Sequence, residues 1–135
     1  EAPSPSPTPE PSAGGGSDAG QAAVAAAKSQ VGQPYVWGGT GNGGFDCSGL
    51  MMYAFAAVGI KLEHYSGYQY TAGRQVPVNE AKRGDMLFWG AGGSQHVALY
   101  LGDNKMLEAP QSGDVVKVSD VRWAGIEPMA VRMIE

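Results

Sequence analysis

Asp46-Cys47-Ser48-Gly49-Leu50 decides how this chain is read, because it sets the only cysteine of 135 residues at the first turn of what reads as an apolar helix. The first N–H groups of a helix lack intrahelical acceptors and lie at the positive end of the peptide dipole, so a sulfur anion is stabilised there. Upstream, Gly38, Gly39, Gly41, Gly43 and Gly44 let the chain turn sharply into the helix. Downstream, Leu50, Ala54, Ala57 and Val58 recur at helical spacing and anchor it in a core. A lone cysteine is often only a small buried hydrophobe; the glycine approach and the helix start favour a reactive thiol instead.

Outward from this stretch, the spacing predicts a helix over 19–31, with Asp18 and Gln21 resembling a capping box and Gly32 and Pro34 stopping it. Tyr35, Val36 and Trp37 read as a short extended piece. The second helix is predicted over 47–58, closed by Gly59, and Ser66 with Gln69 suggests a third, short one. From Met86 the period becomes that of strands, at 86–89, 97–101, 106–109, 115–118 and 130–134, with a hairpin turn at Gly102-Asp103-Asn104. Helices first and a meander afterwards predict an α+β fold rather than a doubly wound sheet.

Residues 1–17 are rich in proline, serine and glycine and cannot build a core, so they read as a linker or tail that favours polyproline II. Residues 18–135 then form one domain. Such a stalk suits an extracytoplasmic protein, and it could also lie in the domain's own cleft and block it. Net charge is −4, but Glu1, Glu10 and Asp18 carry three of those charges, leaving a nearly neutral folded part without a Lys/Arg run. That argues against a nucleic-acid partner. No stretch approaches the ~20 apolar residues of a membrane span, and with no cofactor motif and one small domain the chain reads as a monomer.

A nucleophilic thiol needs a base beside it and a third group to orient that base. His96 opens the apolar run His-Val-Ala-Leu-Tyr-Leu and would be held rigidly at a sheet rim, whereas His64 lies in a polar loop, so His96 is the expected base. Pairing of 97–101 with 105–109 brings Glu108 near the position across from His96, and a carboxylate inside an apolar strand needs a partner. The bland reading of Glu108 is an acid on the solvent face. Arg83-Gly84-Asp85 reads as an ordinary turn into a strand, not an adhesion motif. No close pair of Cys or His has metal-ligand spacing, so no metal is expected.

Taken in order, Gly32-Gln33-Pro34-Tyr35-Val36-Trp37-Gly38-Gly39, Phe45-Asp46-Cys47-Ser48-Gly49-Leu50, Arg83-Gly84-Asp85-Met86-Leu87-Phe88, His96-Val97-Ala98-Leu99-Tyr100-Leu101-Gly102 and Met106-Leu107-Glu108-Ala109-Pro110 resemble the motifs of the NlpC-type cell-wall peptidases. The resemblance runs from Val24 to Ile134 and is nearest to the actinobacterial resuscitation-factor-interacting branch. It implies a papain-like domain with N-terminal helices on a five- to six-stranded antiparallel sheet. Cys47 would be the nucleophile, His96 the base, and Glu108 the third member, where many members have histidine. Tyr35 matches the oxyanion-hole tyrosine, and Asp46, Ser48 and Ser66 match residues lining the substrate site; read alone, Asp46 and Ser66 are helix caps and Tyr35 a core aromatic. The implied reaction is hydrolysis of a peptidoglycan stem peptide between γ-linked D-glutamate and meso-diaminopimelate, outside the cytoplasm, with other cell-wall hydrolases as partners. A Cys/His amidase, an acyltransferase and a wall-binding module without catalysis remain as alternatives.

Overall fold

In a computed structural model that describes residues 18–41 and 43–134, helices cover one face of a six-stranded antiparallel sheet. Helix α1 (Asp18–Lys28) buries Gly20, Ala23, Val24 and Ala27, the small residues of one face, which permits close approach to its neighbour. It stops earlier than the spacing predicts. Gln30 and Val31 bond back only three residues, to Ala27 and Lys28, and the N–H of Gly32 donates to the Val116 carbonyl. The chain is thus drawn off the helix axis, Gly32 takes a φ of +96°, and Val31 is left exposed. Asp18 lies inside the first turn rather than capping it.

A two-stranded hairpin, β1 (Thr40–Gly41) and β2 (Gly44–Phe45), delivers the chain to helix α2 (Cys47–Ala56). At Gly44 (φ +145°) a Cβ would lie 2.4 Å from the Pro34 carbonyl, so only glycine lets the hairpin lean on that segment. α2 is apolar nearly all round and buries Leu50, Met51, Ala54 and Phe55, as a central helix must. Its end is a Schellman turn. The N–H groups of Gly59 and Ile60 reach back to the carbonyls of Ala56 and Phe55, with Gly59 at φ +81°. The third helix, α3 (Ser66–Gln69), forms where the sequence suggests, but Tyr65 is its N-cap residue and Ser66 is already helical, so the cap assigned to Ser66 is not made.

The sheet runs in the order β3-β8-β4-β5-β6-β7, comprising β3 (Arg74–Pro77), β4 (Met86–Trp89), β5 (His96–Gly102), β6 (Lys105–Glu108), β7 (Lys117–Asp120) and β8 (Met129–Arg132). β3 is not predicted by the pattern, since only Val76 of its four residues is buried. β7 lies two residues later than expected. Val115 and Val116 are diverted to the segment before α2, where Val115 bridges Pro34 and Val116 exchanges hydrogen bonds with Gly32 and Gln33. The β5–β6 turn is as read, with Asp103 and Asn104 both at positive φ, the two-residue loop that matches strand twist.

β4 is buried on both faces. Met86 and Phe88 face the helices together with Val97, Leu99 and Leu107, while Leu87 and Trp89 join Ala98, Met106 and Ala130 in a second cluster. In Arg83-Gly84-Asp85 the Asp85 carboxylate is buried, accepts from the Lys82 N–H and pairs with Arg132 at 2.9 Å, so it is not offered to a partner. Among the described residues no helix is long and apolar enough to cross a membrane. The expectation that the tail blocks the cleft falls on residues 1–17, outside the described residues.

Candidate active site

Cys47 is the first residue of α2, and Asp46 before it adopts the extended conformation of an N-cap, its Oδ1 accepting from Gly49 N–H at 2.7 Å. The cap reading of Asp46 therefore holds. The same carboxylate also accepts from Gly38 N–H at 3.0 Å and from the His64 ring at 2.9 Å, so it ties the glycine turn, the helix start and the loop before α3 together. Gly49 allows this. A Cβ on it would lie 1.9 Å from the Gly39 carbonyl, which itself accepts from Asp46 N–H at 3.1 Å.

His96, the first residue of β5, lies at the rim of the sheet with its side chain 13% exposed. In the β5–β6 register Leu107 faces Leu99, so Glu108 is opposite Ala98 and meets His96 on the diagonal rather than directly across. The imidazole spans that offset. Its Nε2 donates to Glu108 Oε1 at 2.8 Å, and the Cys47 thiol is near enough to the ring to raise its proton affinity. The imidazole is thus coupled to both the sulfur and the carboxylate.

Glu108 is fully buried, which overturns the solvent-face reading, and it is not satisfied by His96 alone. Arg122 grips both carboxylate oxygens, at 2.6 and 2.9 Å. Burial would raise the proton affinity of Glu108, but hydrogen bonds from Arg122, His96 and Ser119 overcome it and hold the carboxyl well below the usual carboxylate range. For His96, burial works against the charged ring. Hydrogen bonding to Cys47 and Glu108, and their charges, outweigh it, so its pKa lies above the ordinary histidine value. An imidazole with raised basicity next to a thiol is what a thiolate–imidazolium pair requires.

Tyr35, carried over as the oxyanion-hole tyrosine, and Asp46, Ser48 and Ser66, carried over as substrate-lining, line one cleft of about 470 Å³ with Cys47 and His64. The pKa of Tyr35 is raised, first by burial and then by the charges of Cys47 and Asp46, so it is a half-buried cleft residue rather than a core aromatic. A second hollow of about 480 Å³ is lined by His96, Glu108, Trp89, Arg122 and Lys117, and Gln95 lines both. Of these residues the sequence does not single out Trp89, Gln95, Lys117 or Arg122, and it offers His64 only as the less favoured base in a polar loop, because its proximity to Asp46 is tertiary. Arg122 and Trp89 carry no local signal; the sequence offers His96 as the partner of a carboxylate in an apolar strand, and the guanidinium is an addition of the tertiary structure.

The NlpC/P60 family model matches residues 32–135. Peptidoglycan endopeptidase RipA of Mycolicibacterium smegmatis is 51% identical over 87% of this chain, which spans 26% of RipA. Solved structures of RipA superpose with a TM-score of 0.83 at 48% identity, covering 87% of this chain and 63% of the solved one. They include forms mutated at a cysteine, a histidine and a glutamate whose separations match those of Cys47, His96 and Glu108. The peptidoglycan hydrolase RipB of Mycobacterium tuberculosis aligns at TM-score 0.81 and 51% identity, over 87% of this chain and 65% of that one. RipD of the same organism, described as a non-catalytic domain adapted to peptidoglycan binding, aligns at TM-score 0.78 and 42% identity, over 87% and 99%.

Proposed function

This chain belongs to the NlpC/P60 family, and from that premise we propose that it is a peptidoglycan endopeptidase that works as a cysteine hydrolase. The observation that carries the proposal is the grouping of three side chains: the His96 imidazole is hydrogen-bonded to Glu108 and coupled to the Cys47 thiol, which lines a cleft with Tyr35, Asp46, Ser48 and Ser66. Cys47 Sγ attacks the carbonyl carbon of the scissile amide while His96 carries the thiol proton. The oxyanion is received by the Cys47 N–H, free of intrahelical bonding at the helix start, and by the Tyr35 hydroxyl. Collapse breaks the C–N bond as His96 protonates the departing amine. Water, deprotonated by His96, then cleaves the thioester and restores the thiol.

The scissile bond under this proposal joins γ-linked D-glutamate to meso-diaminopimelate, and the enzyme acts outside the cytoplasm with residues 1–17 as a spacer. Digestion of purified peptidoglycan followed by mass analysis of the released fragments tests it. Fragments ending in D-glutamate are expected from the wild type, and none above the buffer control from Cys47→Ala. Release at the sugar–alanine bond would make the protein an amidase instead. A second reading, a wall-binding module, is favoured by the likeness to RipD; it predicts no fragments and equal sedimentation of both forms with the wall.

A further inference from the structure

The contacts around Glu108 close on themselves. His96 donates to Glu108 at 2.8 Å and Arg122 holds both carboxylate oxygens. The Arg122 guanidinium lies 5.6 Å over the Trp89 ring, and the Trp89 ring centroid is 5.3 Å from that of His96. Trp89 also donates its indole N–H to the Arg122 carbonyl at 2.8 Å, so backbone and side chain are both braced. We propose that Arg122 is a positioning residue: backed by Trp89, its planar fork fixes the plane and the charge of Glu108, and through Glu108 the ring of His96.

This inference rests on the hydrolase reading of the Cys47 site and goes beyond it. A carboxylate excluded from water tends to take up a proton unless a cation or several donors face it. The groups facing Glu108 are His96 from β5, Ser119 and Lys117 from β7, and Arg122 from the segment after β7. Lys117, opposite it in the ladder, has its ammonium on Asp114 at 3.0 Å, and the Asp114 charge is repulsive towards Glu108. Arg122 is thus the cation that grips Glu108. A guanidinium can hold both oxygens in one plane, which a lysine ammonium cannot.

The test compares Arg122→Gln and Arg122→Lys with the wild type in turnover of a soluble muropeptide, in the pH profile of Cys47 alkylation by iodoacetamide, and in thermal melting. If Arg122 acts through Glu108, kcat falls roughly hundredfold in Arg122→Gln and about tenfold in Arg122→Lys, with KM within about twofold of wild type. Without the cation Glu108 protonates at higher pH, so the acid edge of the alkylation profile moves up in Arg122→Gln and stays near wild type in Arg122→Lys. A raised KM at unchanged kcat would make Arg122 a substrate-binding group and overturn the proposal, as would an unmoved acid edge. Arg122→Lys retains the charge beside the buried carboxylate and carries the kinetic test if Arg122→Gln melts below the assay temperature. Alkylation needs no wall substrate, so a wild type that alkylates yet releases no fragments sinks the hydrolase reading while the role of Arg122 is still judged.

Discussion

Glu108→Gln is expected to lower turnover by roughly 10³- to 10⁴-fold while leaving the fold intact, as loss of the orienting acid does in acyl-transfer triads. The amide is neutral, and its oxygen is drawn to the Arg122 fork that now holds both carboxylate oxygens. His96 then loses the anion that favours its charged form and fixes its tautomer. The stability loss is smaller than for a sealed ion pair because the Arg122 side chain is 50% exposed. It amounts to about 2 kcal/mol, since the stranded guanidinium can be hydrated. The pH dependence has a definite sign. A carboxyl depressed in the folded state contributes stability that is complete above its unfolded value, near pH ~4.3, and is lost as pH falls through the folded one. The raised His96 value contributes stability that is complete below its unfolded value, near pH ~6.5, and is lost as pH rises through the folded one. Wild type and Glu108→Gln are therefore expected to differ most near pH ~5, less at higher pH, and to converge in stronger acid. Kinetics on muropeptides and urea titrations across pH measure the two effects separately.

Gly49→Ala is expected to be the most damaging change among the smallest ones. Its methyl would meet the Gly39 carbonyl at 1.9 Å, a contact with rigid backbone rather than a side chain that could rotate away. Either α2 shifts outward or the glycine turn opens, and both moves break the hydrogen bond from Asp46 N–H to Gly39 and the cap from Asp46 to Gly49. A loss of about 3 kcal/mol or more follows from forced overpacking together with a lost cap. For a domain of this size that lowers the midpoint of thermal unfolding by roughly 10 °C. Turnover should fall further than stability alone explains, because the displaced residue is next but one to Cys47, the proposed nucleophile. A melt within a few degrees of wild type and unimpaired turnover would show that the turn accommodates the methyl.

The setting of Cys47 at a helix start was legible because everything that presents it is local: a glycine approach, a capping aspartate and an apolar helix lie within about twenty consecutive residues. His96 and Glu108 were legible because a two-residue turn fixes the pairing of their strands, although the diagonal meeting depends on a register break between Tyr100 and Gly102 that no residue announces. β3 escaped because Arg-Gln-Val-Pro lacks alternation; β8 holds it in place through pairing. The shift of β7 arises where two segments more than eighty residues apart exchange hydrogen bonds at Gly32, Gln33 and Val116. Arg122 and His64 act on Glu108 and Asp46 only once the chain has closed, so their sequence neighbourhoods describe loops and nothing more.

Cys47 belongs to the helical layer, whereas His96 and Glu108 belong to the sheet. Under the proposed mechanism the reacting groups are therefore split between two halves that are synthesised one after the other and become competent only when seated together. A state that keeps its helices and strands but loses side-chain fit would be inert, so turnover in a denaturant titration is expected to fall no later than the far-ultraviolet signal. Unfinished or imperfectly docked molecules of a potentially lytic protein would be harmless by construction.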